Sequence, residues 1–256
     1  MKLRTTIGTA VAAAAGVIAM TAAPALAATN ASTVTAGTAA RQTPHLTVAV
    51  NKSSVVTGHW VTVTTHLGWT ATNRAVVVYA QNWATGAVKE VGSGKVNKQG
   101  NLSLSFDAVE NSSIWARFAG DTKDNAVNSA RVAVHASSVS VSALVGYYAS
   151  TSWNGHTVRE VHKAALAKSF AFVAHVYPNK SGEHATALWQ KWEGSRWVNA
   201  TDPTAVTLNA NSSWDTGFGF TGGTPLNQKF RVTSVYGGDR GNSGSTAPWQ
   251  YWDVTN

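Results

Sequence analysis

The sequence predicts an all-β protein: two tandem antiparallel β-sandwich domains after a cleaved signal peptide. Three observations carry this. Short β-branched or aromatic stretches alternate apolar with polar residues at a period of two. Turn-forming Gly, Asn, Asp and Ser clusters separate them at near-regular spacing. A four-residue signature, Phe118-Ala-Gly120-Asp121, returns as Tyr236-Gly-Gly238-Asp239 after 118 residues, the length of a domain rather than of a solenoid unit. The composition agrees. Of 256 residues, 44% are hydrophobic and only 12% charged, which argues against a highly charged disordered chain. The absence of Cys excludes a disulfide scaffold, a thiolate zinc site and a Cys nucleophile.

The first element is the leader. Lys2 and Arg4 precede an apolar run from Ile7 to Met20, and Ala25-Leu26-Ala27 follows. That order is a positive n-region, an h-region and an A-x-A cleavage signal, so residues 1–27 read as a signal peptide and the protein as secreted and extracellular. No later run approaches the roughly 20 apolar residues of a transmembrane helix, so no membrane insertion is expected. Met1 and Met20 both lie in the leader, so the exported chain carries no sulfur, and its net charge falls from +8 to +6. Residues 28–42 (ATNASTVTAGTAARQ) are small, polar and free of aromatic rings. They read as a disordered tail.

The first sandwich is placed at residues 43–137. Its strands are expected at His45–Val50, Trp60–Thr65, Ala75–Tyr79, Leu102–Phe106, Ile114–Phe118 and Ala130–Val134, with turns that include Ser93-Gly94 and Gln99–Asn101. The second, at 138–256, is expected to place strands at 140–144, 169–176, 187–192, 205–208, 216–220, 229–235 and 250–254. Val158–Lys168 has fair helix propensity but reads as a strand followed by a loop. The boundary falls near Ala136–Ser138, with a linker so short that loose end-to-end stacking is expected.

The two Gly-Asp signatures each end a strand, and each follows a matching turn, Asn97–Asn101 in one half and Asn209–Ser213 in the other. Both halves resemble bacterial Ig-like repeats, whose penultimate strand ends in aromatic-x-Gly-Asp, and the leader with its Ala/Thr-rich tail resembles those of secreted actinobacterial proteins carrying them. The resemblance covers the first half well and the C-terminal two thirds of the second, where Ser152–Lys168 looks like an insertion. It implies two Ig-like sandwiches serving as a spacer, an adhesive module or a binding appendage.

Phe118, Gly120, Asp121, Tyr236, Gly238 and Asp239 form a structural turn motif on this reading. Gly admits positive φ and Asp accepts hydrogen bonds from turn N–H groups. The alternative is weak Ca²⁺ binding with Asp124, Asn125 and Asn128, but EF-type spacing is missing. His156, Glu160 and His162 share a face if extended, yet the two His would stand about 20 Å apart, so a solvated polar face is the expectation. No nucleophile elbow is found and no carboxylate pair is nominated. No catalytic residue, metal or cofactor is therefore assigned. The positive charge is spread evenly over both domains, unlike the basic stripe that binds nucleic acid, though it suits an anionic cell wall.

Tryptophan is the functional signal in the composition. Eleven occur, six of them after residue 188. Positions 189 and 192, and likewise 249 and 252, differ in parity, so one of each pair should face the core and the other solvent. Alignment of the last strand with Arg131–Val134 puts Trp252 and Val254 inward and Trp249 and Tyr251 outward. Trp189, Trp197, Trp249 and Tyr251 are the candidate ligand surface, since rigid amphipathic rings suit a sugar or protein platform. The same rings could instead fill a Trp-rich core. The expected function is a non-catalytic extracellular binding, adhesive or spacer protein, its partner an extracellular protein or a cell-wall or polysaccharide surface. A carbohydrate-binding module is the alternative, and an extracellular hydrolase the third.

Overall fold

The computed structural model describes residues 40–68, 74–166, 168–220 and 223–256; the leader and positions 28–39 of the expected tail lie outside them. The alternation in His59–Leu67 shows how the sequence builds its layers. Val61, Val63, Thr65 and Leu67 are buried while His59, Trp60, Thr62, Thr64 and His66 face solvent, as the two-residue period of a strand requires. The first half contains β1 (Leu46–Val50), β2 (Ser54–Val56), β3 (His59–Leu67), β4 (Ala75–Asn82), β5 (Val88–Lys95), β6 (Asn101–Ala108), β7 (Ser112–Phe118), β8 (Val127–Asn128) and β9 (Val132–Ser137). One sheet runs β1-β3-β6 and the facing one β5-β4-β7-β9, with β8 on β7 and β2 on β9. Val61, Val63, Leu67, Val76, Val78, Ile114 and Val134 are each fully enclosed between them. Each such side chain contributes about 1.5–3 kcal/mol by leaving water.

The second half contains β10 (Val139–Val145), β11 (Ala149–Trp153), β12 (His156–His162), β13 (Ala171–Tyr177), β14 (His184–Glu193), β15 (Arg196–Asn199), β16 (Thr204–Thr207), β17 (Ser213–Gly217), β18 (Lys229–Gly238), β19 (Ser243–Thr246) and β20 (Gln250–Thr255). A sheet β10-β13-β17 faces β11-β12-β20-β18-β14, with β15 and β16 along the far edge of β14 and β19 on β18. The core between these sheets is aromatic: Phe170, Phe172, Trp214, Phe218, Phe230, Tyr236 and Trp252. Val158–Lys168 forms most of β12 followed by one 3-10 turn, Lys163–Ala165. Among the described residues no helix is long and apolar enough to cross a membrane.

The junction of the two sandwiches is more tightly bonded than the expected loose stacking. Ser137 and Ser243 pair in parallel across it. Asn242, fully buried, donates from Nδ2 to the carbonyls of Val109 and Ala136 at 2.9 and 3.1 Å. The Asn111 N–H donates to the carbonyl of Gly241 at 2.6 Å, and its Oδ1 accepts from the Ala136 N–H at 2.8 Å. Two buried amides thus satisfy backbone groups that a bare contact would strand. A parallel bridge like that of Ser137 with Ser243 closes the other end of the first sandwich through backbone groups. Gln42 bridges Asp124 in parallel, and its backbone carbonyl accepts from the Asn125 N–H at 2.7 Å. The last residue of the expected tail therefore belongs to the first sandwich, entering it as Ser137 enters the second.

Candidate functional site

Alternation along β18 sends Phe230, Val232 and Tyr236 into the core and turns Arg231 to the opposite face. In β20, Trp252 and Val254 point inward, leaving Tyr251 on the face of Arg231. The register places Arg231 opposite Tyr251 on one side and Gln190 on the other, and Trp192 opposite Trp197. Four neighbouring strands therefore gather Tyr251, Arg231, Gln190, Trp192 and Trp197 on the outer face of the sheet. The β11–β12 hairpin supplies one more ring. In a flat sheet Trp153 would stand four strand spacings, about 19 Å, from Trp192. Their ring centroids are 5.2 Å apart, and Trp153 lies 5.8 Å from Trp197. The hairpin tip thus curls over the outer face, and Val158, opposite Tyr251, is buried to 1% exposure beneath it.

The result is an aromatic cluster built by edge-to-face and stacked contacts, the arrangements that ring quadrupoles favour. Trp192 and Trp197 meet at 5.4 Å, Trp197 and Tyr251 at 5.7 Å, and His156 stacks on Tyr251 at 4.2 Å. Arg231 lies within it, its guanidinium carbon 4.5 Å from the Trp197 ring centre and 4.1 Å from that of Trp249. Gln190 Oε1 accepts from both Nε and Nη2 of Arg231, at 2.8 and 2.6 Å. Trp153, Trp192, Trp197, Trp249, Tyr251 and Arg231 are all half-buried, fixed on one side and open on the other. Lys229 pairs with Asp253, and Lys191 with Glu193 at 2.8 Å. The hydrogen bond and charge of Lys191 hold the Glu193 carboxyl below its usual range.

Of the four rings assigned to the candidate surface, Trp197, Trp249 and Tyr251 lie together around Arg231, but Trp189 does not join them. It shares the inward parity of Ala185 and Ala187 in β14 and packs on Phe172 and Phe218, at 5.9 and 4.9 Å. Trp192, three residues on, takes the outward place. Trp189 instead walls a cavity of about 550 Å³ with Val206, Phe218, Phe220, Phe230 and Trp252. Trp153, Trp192, Gln190 and Arg231 were not singled out from sequence. Trp192 and Gln190 share a parity, but parity does not say which face of β14 is outward, and the fold-over of the hairpin leaves no sequence signal for Trp153.

The Gly-Asp turns repeat in detail. Gly120 and Gly238 have φ of +83° and +89°. Asp121 Oδ1 accepts from the N–H groups of Lys123 and Asp124, both at 2.8 Å, and Asp239 Oδ1 from that of Asn242 at 2.6 Å. Phe118 and Tyr236 are buried at the strand ends. A cation from the strand entry holds each Asp: Arg74 Nε at 3.0 Å from Asp121, and Lys180 Nζ at 2.7 Å from Asp239. Burial opposes ionisation of Asp239, but the bonds from Lys180 and the Asn242 N–H outweigh it, and the carboxyl sits below its ordinary range. Burial, and next the charge of Asp239, push the Tyr236 hydroxyl above the normal phenol range. The upstream turns also match. Asn97 Oδ1 caps the N–H groups of Gln99 and Asn101, and Asn209 Oδ1 those of Asn211 and Ser213.

Of the oxygen donors weighed for Ca²⁺, Asp124 pairs with Arg74, and Asn125 donates to the Arg41 carbonyl and Thr43 Oγ1; Asn128 lies exposed in β8. Among the described residues no three His, Asp or Glu side chains gather as a metal-ligand group. His156 rests on Tyr251, while His162 stacks on Tyr148 at 3.8 Å and donates to the Asn256 carbonyl. On the other sheet, His175 Nδ1 and Ser213 Oγ lie 2.7 Å apart as cross-strand partners.

No protein-family model matches the sequence, and no curated protein matches it. Among solved structures, a mutant of Salmonella alpha-2-macroglobulin aligns at 10% identity with a TM-score of 0.33. The alignment covers 82% of this chain and 16% of that one, so the chain spans about a sixth of the larger protein's length.

Proposed function

We propose that the protein is a secreted, non-catalytic module of two tandem Ig-like sandwiches that acts by surface contact, with the outer aromatic face of the second sandwich as its contact surface. One observation carries this reading: Trp153, Trp192, Trp197, Trp249 and Tyr251 are gathered on a single face, half-exposed, although the sandwich already has a complete aromatic core on its other side. Folding alone has no need of a second aromatic layer there. Rigid rings with one open edge bury much area at little entropic cost.

The same observation favours a saccharide as the ligand, because flat amphipathic rings match the apolar faces of sugar units. The test is tryptophan fluorescence and co-sedimentation of the mature protein with chitin, cellulose and isolated cell wall. Retention on at least one polymer, lost in Trp197→Ala and Trp249→Ala, is expected. Unchanged fluorescence and no retention on any of them would remove the reading.

A further inference from the structure

We propose that Arg231 makes this face selective for carboxylated saccharides, the guanidinium taking a carboxylate in its plane. The inference rests on the aromatic-face reading and adds a ligand class to it. Arg231 is half-buried and forms no salt bridge among the described residues, whereas Lys229, two residues away on the same face of β18, has a carboxylate partner in Asp253. Long charged side chains seldom leave water without a counter-ion unless something else compensates them. Here two indoles and one amide oxygen do so.

The hydrogen-bond geometry says what remains open. A guanidinium carries five N–H donors, all in its plane. Gln190 Oε1 occupies the Nε–Nη2 edge, and no described group accepts from Nη1. The Nη1–Nη2 edge is left, and two parallel N–H groups on that edge fit the two oxygens of one carboxylate. Trp197 and Trp249 fix the plane of the fork and lower its surroundings' polarity, so that the bond strengthens. They also stand where the ring bearing that carboxylate would stack. A neutral sugar would use the rings alone. A uronic acid would use the rings and the fork together.

The test uses the mature protein at about 150 mM ionic strength, which screens the general attraction of a positive chain for anions. The probes are oligogalacturonate, its methyl ester, cellohexaose and a polyglutamate peptide. Oligogalacturonate should bind about tenfold more tightly than its methyl ester, as one charge-assisted bidentate bond allows. Arg231→Gln should erase that preference, so that the acid and its methyl ester bind alike. Arg231→Lys keeps the charge without the fork and should retain only part of the preference. Equal wild-type affinity for the acid and its ester overturns the proposal while the aromatic-face reading stands, and this comparison needs no variant. Equal affinity for polyglutamate overturns the saccharide assignment. Parallel loss of all ligands in Arg231→Gln with the fold intact would make Arg231 a prop for the rings, again overturning the proposal. Failure of every saccharide to bind wild type removes both readings.

Discussion

Substituting Gly238 by Ala tests the repeated turn most sharply, because the structure supplies its own control. A Cβ on Gly238 would stand 2.6 Å from the Gly244 nitrogen and 2.8 Å from the Asn242 carbonyl oxygen, at a φ of +89°. On Gly120 the corresponding approaches are 2.8 Å to the Ala126 nitrogen and 3.0 Å to the Asp124 oxygen, at +83°. Gly155, in the β11–β12 turn, has a similar φ of +76° but no atom within 4 Å of the added carbon. All three substitutions carry the left-handed penalty of about 1–2 kcal/mol. Gly238→Ala and Gly120→Ala add the displacement of packed backbone, about 1–3 kcal/mol by analogy with overpacked cores. The expected losses are therefore about 2–5 kcal/mol for Gly238→Ala, somewhat less for Gly120→Ala, and about 1–2 kcal/mol for Gly155→Ala. Urea unfolding followed by tryptophan fluorescence measures each. If Gly238→Ala destabilises no more than Gly155→Ala, close packing of the turn is not what the glycine serves.

Asn242→Ala removes two hydrogen bonds across the junction at about 1 kcal/mol each, with more if the acceptor carbonyls go unpaired. Calorimetry should show the transitions of the two sandwiches separating, and an unchanged endotherm would contradict the bonded junction. The Asp239 carboxyl is held low, chiefly by Lys180 and the Asn242 N–H acting against burial. Its stabilising contribution is therefore present above the unfolded value near 3.9 and is lost as pH falls through the lower folded value. Asp239→Asn should flatten that acid limb, and an acid limb as steep as wild type would refute the assignment. Tyr236 shifts the other way. Its contribution is intact below the unfolded value near 10 and is lost as pH rises above it. Ultraviolet titration should find one of the six tyrosines ionising only with unfolding, and its ionising with the others in the folded protein would count against that environment.

What could be read from sequence was whatever depends on neighbours along the chain. Alternation in β3 and β18, the inward Trp252 and Val254, and the Asp-capped turns all follow from residue type and parity. Ser93-Gly94 misled as a turn. It lies inside β5, where Gly92 and Gly94 make room for Leu104 and Leu102, whose side chains a Cβ would meet at 3.3 and 2.8 Å. The junction and the aromatic face depend on contacts between distant segments. Asn242 looks like an ordinary turn residue until Val109 and Ala136 are brought to it. Trp153 joins Trp192 and Trp197 only because the hairpin bends over the sheet. Parity alone could not say which member of the Trp189 and Trp192 pair faced outward, since that required the strand's register with β18.

The central claim is that the outer aromatic face of the second sandwich is a saccharide-contacting surface. Its most direct measurement is nuclear magnetic resonance of the indole N–H groups of the protein during titration with a soluble oligosaccharide of the polymer that retains it in the sedimentation assay. The account predicts shifts confined to Trp153, Trp192, Trp197 and Trp249. Trp252 is buried in the core and Trp214 is buried with its Nε1 donating to Ser234 Oγ, so both should stay still. Trp60, 66% exposed on the first sandwich, reports non-specific contact and should also be silent. Shifts at Trp60 with none on the aromatic face would contradict the account.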